Sequence, residues 1–244
     1  MYNRYFCFAH LLNRSFTQNN PFMTTTENIG KVRRDTPLFF ATTSIVCFTY
    51  AILALLLLHM LRPDYALRTH MISDYAVGRY GWVMTTWFIA MSCGCMMLMF
   101  GLTRSGLNSI LFRIGTGLLS IASLGLLISA FFPTDIEGAP STRAGAIHDI
   151  SFLVNVVSII LSMVFLTASF RSHPRWRAYQ GVAVALTAIV VIAFFIQFLT
   201  LHRGAPYGLT NRLFVIVLFI WLFATSIRLR RSTLEWAGNY VSEW

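Results

Sequence analysis

The sequence has few charges and almost no lysine. Charged residues make up 11% of its 244 residues, and Lys31 is the only lysine. A soluble domain carries about 25% charged residues. Hydrophobic residues reach 56% and the mean hydropathy is +0.64. One soluble core could not bury this much apolar surface, so we expect a lipid bilayer to surround the protein.

Recognisable catalytic motifs are also missing. The four cysteines have no partner at zinc-like spacing, and we infer no disulfide from them. The sequence contains no His-Glu-x-x-His pair, no nucleophile elbow and no phosphate-binding glycine loop. The net charge of +10 comes mainly from arginines scattered between apolar segments. A nucleic-acid site needs its basic residues gathered on one face, so we predict no nucleic-acid partner.

Six apolar segments, most of them close to the ~20 residues that cross a bilayer, follow a polar, basic start. A lipid-exposed open sheet could not satisfy its backbone hydrogen bonds, so we predict an all-α, six-helix transmembrane bundle. The expected organisation is a disordered cytoplasmic tail at 1–37, a transmembrane domain at 38–231 and a cytoplasmic tail at 232–244. Met23 is an alternative start. The predicted spans are 38–61, 81–102, 112–132, 147–170, 181–201 and 213–227.

The basic residues predict an orientation. Thirteen of the nineteen lie in the two tails and in the second and fourth connections, and six lie on the opposite side. The positive-inside rule therefore places both termini in the cytoplasm. Five of the nine acids and four of the six histidines then fall on the outer side. We expect any site to open outward.

Burying an ionisable group near lipid costs free energy, so such groups are taken first as candidates for a functional role. Asp74, Asp135 and His148 lie at or near the outer ends of three different segments, and we expect them to converge on one site. They are the candidate metal ligands, since zinc accepts carboxylate and imidazole groups. Asp135 follows the third helix, where a carboxylate meets the unfavourable end of the helix dipole, so capping explains it poorly. The full set of candidate site residues is Ser73, Asp74, Asp135, Arg143, His148, Asn155, Gln197 and Arg212.

A polar stripe runs along the fourth segment. Its members recur every three or four residues and fall within an arc of about 80° on a helix. Such a stripe joins neighbouring helices more often than it forms a conduit. The stripe contains His148, Ser151, Asn155, Ser158 and Ser162.

Several short stretches of this chain resemble a bacterial membrane family known as domain of unknown function 998. The resemblance covers roughly residues 38–231, and its most specific part is the Pro-Thr-Asp to His block. It implies a six-helix integral membrane protein without an assigned activity, and by analogy a bacterial inner membrane. The matching stretches are His70-x-Ile72-Ser73-Asp74 leading to Tyr80-Gly81-Trp82, Phe132-Pro133-Thr134-Asp135, Gly138-Ala139-Pro140, Gly145-x-x-His148 and Gly208-Leu209-x-x-Arg212.

Three functions stay open at this point. The first is binding of a lipid or small molecule in an outward-facing polar pocket. The second is an intramembrane metal-dependent hydrolase, in which the acids and His148 hold a metal or activate water. The third is a structural or assembly role, with the acids paired to Arg143 or Arg212 to lock the loops. The cofactor, the substrate and the oligomeric state do not follow from the sequence.

Overall fold

The structure is a computed structural model that describes the backbone of residues 21–136, 138–202 and 204–242 and the side chains of 35–136, 138–202 and 204–235. Six long helices and one short 3-10 helix occupy this part of the chain, which contains no strand. All six helices contain an apolar stretch long enough to cross a membrane, which confirms the predicted all-α transmembrane class. They are α1 Pro21–Leu61, α2 Gly81–Thr103, α3 Ile110–Phe131, α4 Arg143–Phe170, α5 Pro174–Leu199 and α6 Tyr207–Ser242, and the 3-10 helix is Ile72–Ala76.

Some helix ends differ from the predicted spans. Helix α1 begins at Pro21, inside the expected tail, while residues 1–20 lie outside the described part. Helix α5 begins at Pro174 rather than at 181, because His173 caps it and proline fits the first turn of a helix. Helix α6 continues to Ser242. Hydropathy marks the apolar part of a helix, whereas these ends are polar extensions of the same helices.

The chain divides into two units at Thr36, and the described residues from Pro37 onward form the bundle. Its helices make a closed ring in which each is packed beside the next, and α2 also packs directly against α6. A hydroxyl hydrogen bond joins every neighbouring pair within the described side chains, so polar contacts fix the order around the ring. The bonds are Tyr50–Thr86 (2.7 Å), Ser92–Ser123 O (2.8 Å), Ser162–Gly115 O (2.8 Å), Thr167–Thr187 (3.0 Å), Tyr179–Thr225 (3.0 Å) and Ser226–Ser44 (3.0 Å).

Glycines let these helices approach closely. A Cβ on Gly94 would lie 2.4 Å from the Phe48 ring, and one on Gly115 would lie 2.8 Å from Leu166. Large apolar side chains such as Ile110 (70% exposed) and Phe131 (66% exposed) point away from the ring. An outer surface of this kind is suited to lipid chains.

The helix connections define two ends of the bundle. We call the end where α1 enters and α6 leaves the proximal side; it carries the connections 104–109 and 171–173. We call the opposite end the distal side; it carries the connections 62–80, 132–142 and 200–206. Every candidate site residue except Asn155, which lies deeper in α4, is in a distal connection or within about 10 Å of a distal helix end.

Candidate functional site

The first distal connection, 62–80, folds around the buried Arg62. Its guanidinium binds the Asp64 carboxylate at 2.8 Å and donates to the carbonyl oxygens of Val77 (2.8 Å) and Arg79 (3.0 Å). The same guanidinium lies 4.1 Å from the centre of the Tyr65 ring. The hydrogen bond from Arg62 holds the pKa of Asp64 below its usual range. Asp64 is thus a structural charge of the loop.

A second arginine ties this connection to α6. Arg212 donates from Nη1 to the carbonyl oxygens of Leu67 (3.1 Å), His70 (2.7 Å) and Gly208 (2.9 Å). It also donates from Nη2 to the Tyr75 hydroxyl at 3.3 Å. The planar guanidinium spreads its donors over three nitrogens, a fixed geometry that the compact lysine ammonium does not reproduce.

The Nε–H group of Arg212 points at α1. Its Nε donates to His59 Nε2 at 2.8 Å, while His59 Nδ1 lies 2.7 Å from the Leu55 carbonyl oxygen. Because an arginine N–H can only donate, Nε2 accepts and the ring proton lies on Nδ1. Arg212 therefore fixes a neutral His59 and joins α1, the distal connection and α6.

The start of α6 completes this contact. Asn211 accepts a hydrogen bond from the backbone N–H of Ile72 at 3.0 Å, and the N–H of Gly208 donates to the Arg68 carbonyl at 3.0 Å. Asp74 accepts from the Met71 backbone N–H at 2.7 Å and caps the 3-10 helix, in which Ser73 is half-buried. The Gly-Leu-x-x-Arg stretch thus docks one loop onto one helix.

Asp135 lies in the second distal connection and caps the next helix. Its carboxylate accepts hydrogen bonds from the Thr142 backbone N–H (2.9 Å) and hydroxyl (2.7 Å). The Thr142 hydroxyl in turn accepts from the Gly145 backbone N–H and caps α4. A Cβ on Gly145 would lie 2.1 Å from that carboxylate. The expectation that a helix end explains Asp135 poorly rests on α3 alone and is wrong, because the carboxylate binds Thr142, the N-cap residue of α4, where the helix dipole favours a negative charge. Arg143, the first residue of α4, is exposed.

The Asp135 contact predicts a pH-dependent stability. The Thr142 hydroxyl and then its N–H hold the pKa of Asp135 below its usual range. A lowered pKa stabilises the fold above the unfolded value of about 3.9, and that stability is lost as the pH falls through the folded pKa. Asp135→Asn should therefore lower the melting temperature at neutral pH. The difference from the unmodified protein should shrink in acid; an equal difference at every pH would contradict this origin.

His148 is buried and joins the same connection to α4. Its Nδ1 donates to the Phe132 carbonyl oxygen at 2.8 Å, and its ring packs edge-on against Phe88 of α2 at 5.8 Å. One turn on, Ser151 binds Ser129 at 2.7 Å. Asn155 packs against Gly125, whose Cβ would lie 2.8 Å from Asn155 Cβ. At these positions the polar stripe joins α3 to α4, as such stripes commonly do.

The contacts of the three expected metal ligands fall into two groups. Asp135 and His148 both brace the 132–142 connection, whereas Asp74 belongs to the loop that Arg212 docks on α6. Among the described residues, no three His, Cys, Asp or Glu side chains are grouped so as to hold a metal ion. The arrangement therefore does not favour the metal-dependent hydrolase.

Two buried polar atoms on the distal side lack a hydrogen-bond partner: Trp87 Nε1 of α2 and Gln197 Oε1 of α5. Both side chains are about 95% buried. Trp87 packs edge-on against Phe219 of α6 at 6.3 Å, and the adjacent Phe88 packs against His148 of α4, so both rings lie inside the bundle. Gln197 continues the buried face of α5 at its last turn. An unpaired buried polar atom is costly, so each requires an explanation.

The site residues predicted from the sequence include Gln197 but not Trp87, His59, Tyr75 or Asn211. Asn211 lies inside the Gly-Leu-x-x-Arg stretch, which was the available signal for it. His59 was recognisable only as one of several outer histidines. The hydrophobic context of Trp87 predicts packing and gives no sign that its N–H is unpaired.

Residues 45–228, about three quarters of the chain, match the family described as Protein of unknown function (DUF998). The chain belongs to the DUF998 family. The match begins within α1 and ends within α6, and it contains both distal groups of contacts. No curated protein and no solved structure matches the chain. Membership in DUF998 confirms the predicted family and assigns no activity.

Proposed function

We propose that this DUF998 protein binds a lipid headgroup or small polar molecule between the distal ends of α2, α4, α5 and α6. The unpaired Gln197 Oε1 and Trp87 Nε1 support this most strongly. Trp87 is within about 10 Å of the distal end of its helix, and Gln197 is closer to its own. Both belong to faces that are buried in the ring.

The chemistry of these two groups selects the ligand class. An indole N–H only donates and an amide oxygen only accepts, and hydroxyl groups can partner either of them. Neither group is charged, and an uncharged ligand avoids the cost of burying an ion. We therefore propose a neutral ligand that bears hydroxyl groups. Arg212, Asp74, Ser73, Asp135, Arg143, His148 and Asn155 would act as the frame of this site rather than as its reactive groups.

Native mass spectrometry of the purified protein tests this function. We expect a non-covalently bound mass on the unmodified protein that is absent from Gln197→Leu. The matched control is Gln180→Leu, the same change at a half-buried position near the proximal end of α5. If both variants retain the bound mass, or the unmodified protein has none, the proposal fails. A structural or assembly role would then stand.

We further propose that both termini face the cytoplasm of a bacterium and that the protein resides in the inner membrane. The excess of basic residues on the proximal side supports this orientation. A reporter enzyme that is active only in the cytoplasm should be active when it is fused after Trp244. Activity of a periplasm-specific reporter at the same position would reverse the orientation and direct the distal site inward.

A further inference from the structure

A groove of about 660 Å³ lies between α2 and α3 on the proximal side, away from the distal site. Met99, Leu107 and Phe112 form apolar walls, and Arg113 and Asn108 stand at its polar end. Gly117 lines the groove and has no atom within 4 Å of the position its Cβ would take. The groove therefore has room for an apolar chain beside α3.

The groove opens toward lipid. Ile114 and Ile121 flank Gly117 along α3 and are 40% and 45% exposed. Of the hydroxyl groups in the groove, Thr116 donates to Phe112 O and Ser120 donates to Thr116 O, within their own helix. These hydroxyls are satisfied without a ligand, so the middle of the groove suits hydrocarbon.

Positive charge gathers at the polar end. Arg113 is exposed and donates from Nε and Nη2 to Asn108 Oδ1 at 3.3 and 2.9 Å, which holds its guanidinium beside the loop. A Cβ on Gly106 would lie 3.3 Å from Arg175 Nη2, so a second guanidinium approaches the same loop from α5. The stretches 103–114 and 170–181 contain five arginines and no acidic residue. An anion at this end meets no repulsion from either stretch.

We propose that this groove binds one anionic phospholipid, with an acyl chain along Gly117 and the phosphate beside Arg113. Basic recesses between transmembrane helices bind anionic headgroups, and apolar walls that continue onto the lipid-facing surface select an acyl chain over a free anion. This groove is separate from the distal site and binds a different class of ligand.

The test measures binding of dioleoyl phosphatidylglycerol and dioleoyl phosphatidylcholine to the delipidated full-length protein in detergent. We expect tighter binding of the anionic lipid, weakened about five-fold by Arg113→Gln, as the loss of one arginine contact predicts. Gly117→Leu should fill the groove and weaken binding of the lipid further. The control is Arg230→Gln, which removes an exposed charge from α6 and should change nothing.

Melting temperatures establish that each variant is folded, and Arg113→Gln, an exposed change, decides the matter if Gly117→Leu does not fold. Equal affinity for the two lipids would overturn the proposal, as would equal effects of Arg113→Gln and Arg230→Gln. Glycerol 3-phosphate should not compete at millimolar concentration. If it displaces the lipid, the groove recognises a free anion and the role of the acyl chain is refuted.

Discussion

Arg212→Ala is expected to cause a large loss of stability on the distal side. It removes the donor from the carbonyl oxygens of Leu67, His70 and Gly208 and from His59 Nε2. Hydrogen bonds from charged donors contribute about 1.5–3 kcal/mol each, and partial access of water offsets some of that. We expect the free energy of unfolding to fall by about 3 kcal/mol, which should appear as a lower melting temperature in detergent.

Two other variants separate this role from a general effect of charge. Arg212→Lys should recover only part of the stability, since one compact ammonium cannot reach both the acceptors of Nη1 and His59, which binds Nε. Arg68→Ala removes an exposed arginine from the same loop and should leave the melting temperature within about 1 °C of the unmodified protein. Equal melting temperatures for Arg212→Ala and Arg68→Ala would show that the loop does not depend on Arg212.

Gly208→Ala should also lower the stability, by somewhat less than Arg212→Ala. A Cβ at this position would lie 2.5 Å from the Leu67 carbonyl oxygen and 2.6 Å from that of His70. Both obstacles are backbone atoms, so the loop must move away from α6 and stretch its bonds to Arg212. Overpacking of this kind costs about 2 kcal/mol. Proteolysis within the 62–80 connection should accelerate, which reports the displacement of the loop directly.

The matched control is Gly181→Ala in α5. That glycine is exposed, and no atom lies within 4 Å of its Cβ position. Alanine favours a helix over glycine by about 1 kcal/mol, so this change should be neutral or stabilising. If Gly208→Ala behaves in the same way, the close approach of the loop to α6 is not rigid.

The six spans could be predicted because burial in lipid leaves a strong local signal. The α2 span, for example, was expected at 81–102 and is Gly81–Thr103. The periodic spacing of the α4 stripe likewise placed Ser151 and Ser162 on one buried face. Hydropathy and periodicity are properties of neighbouring residues, and they need no knowledge of the rest of the chain.

The partners of the polar residues could not be predicted in the same way. The bond between Arg212 and His59 joins residues at opposite ends of the sequence, and it exists because α6 closes the ring beside α1. The role of Asp135 at the start of α4 does not follow from the sequence, because the sequence does not show that the connection folds back over Thr142. Such contacts depend on how loops return to the bundle, which local patterns do not specify.

An experimental density map of the purified protein would test the proposed ligand site most directly. Our account predicts non-protein density larger than a water molecule between the distal ends of α2, α4, α5 and α6. That density should lie within hydrogen-bond distance of both Gln197 Oε1 and Trp87 Nε1. A map in which protein groups or single waters satisfy these two atoms would contradict the account.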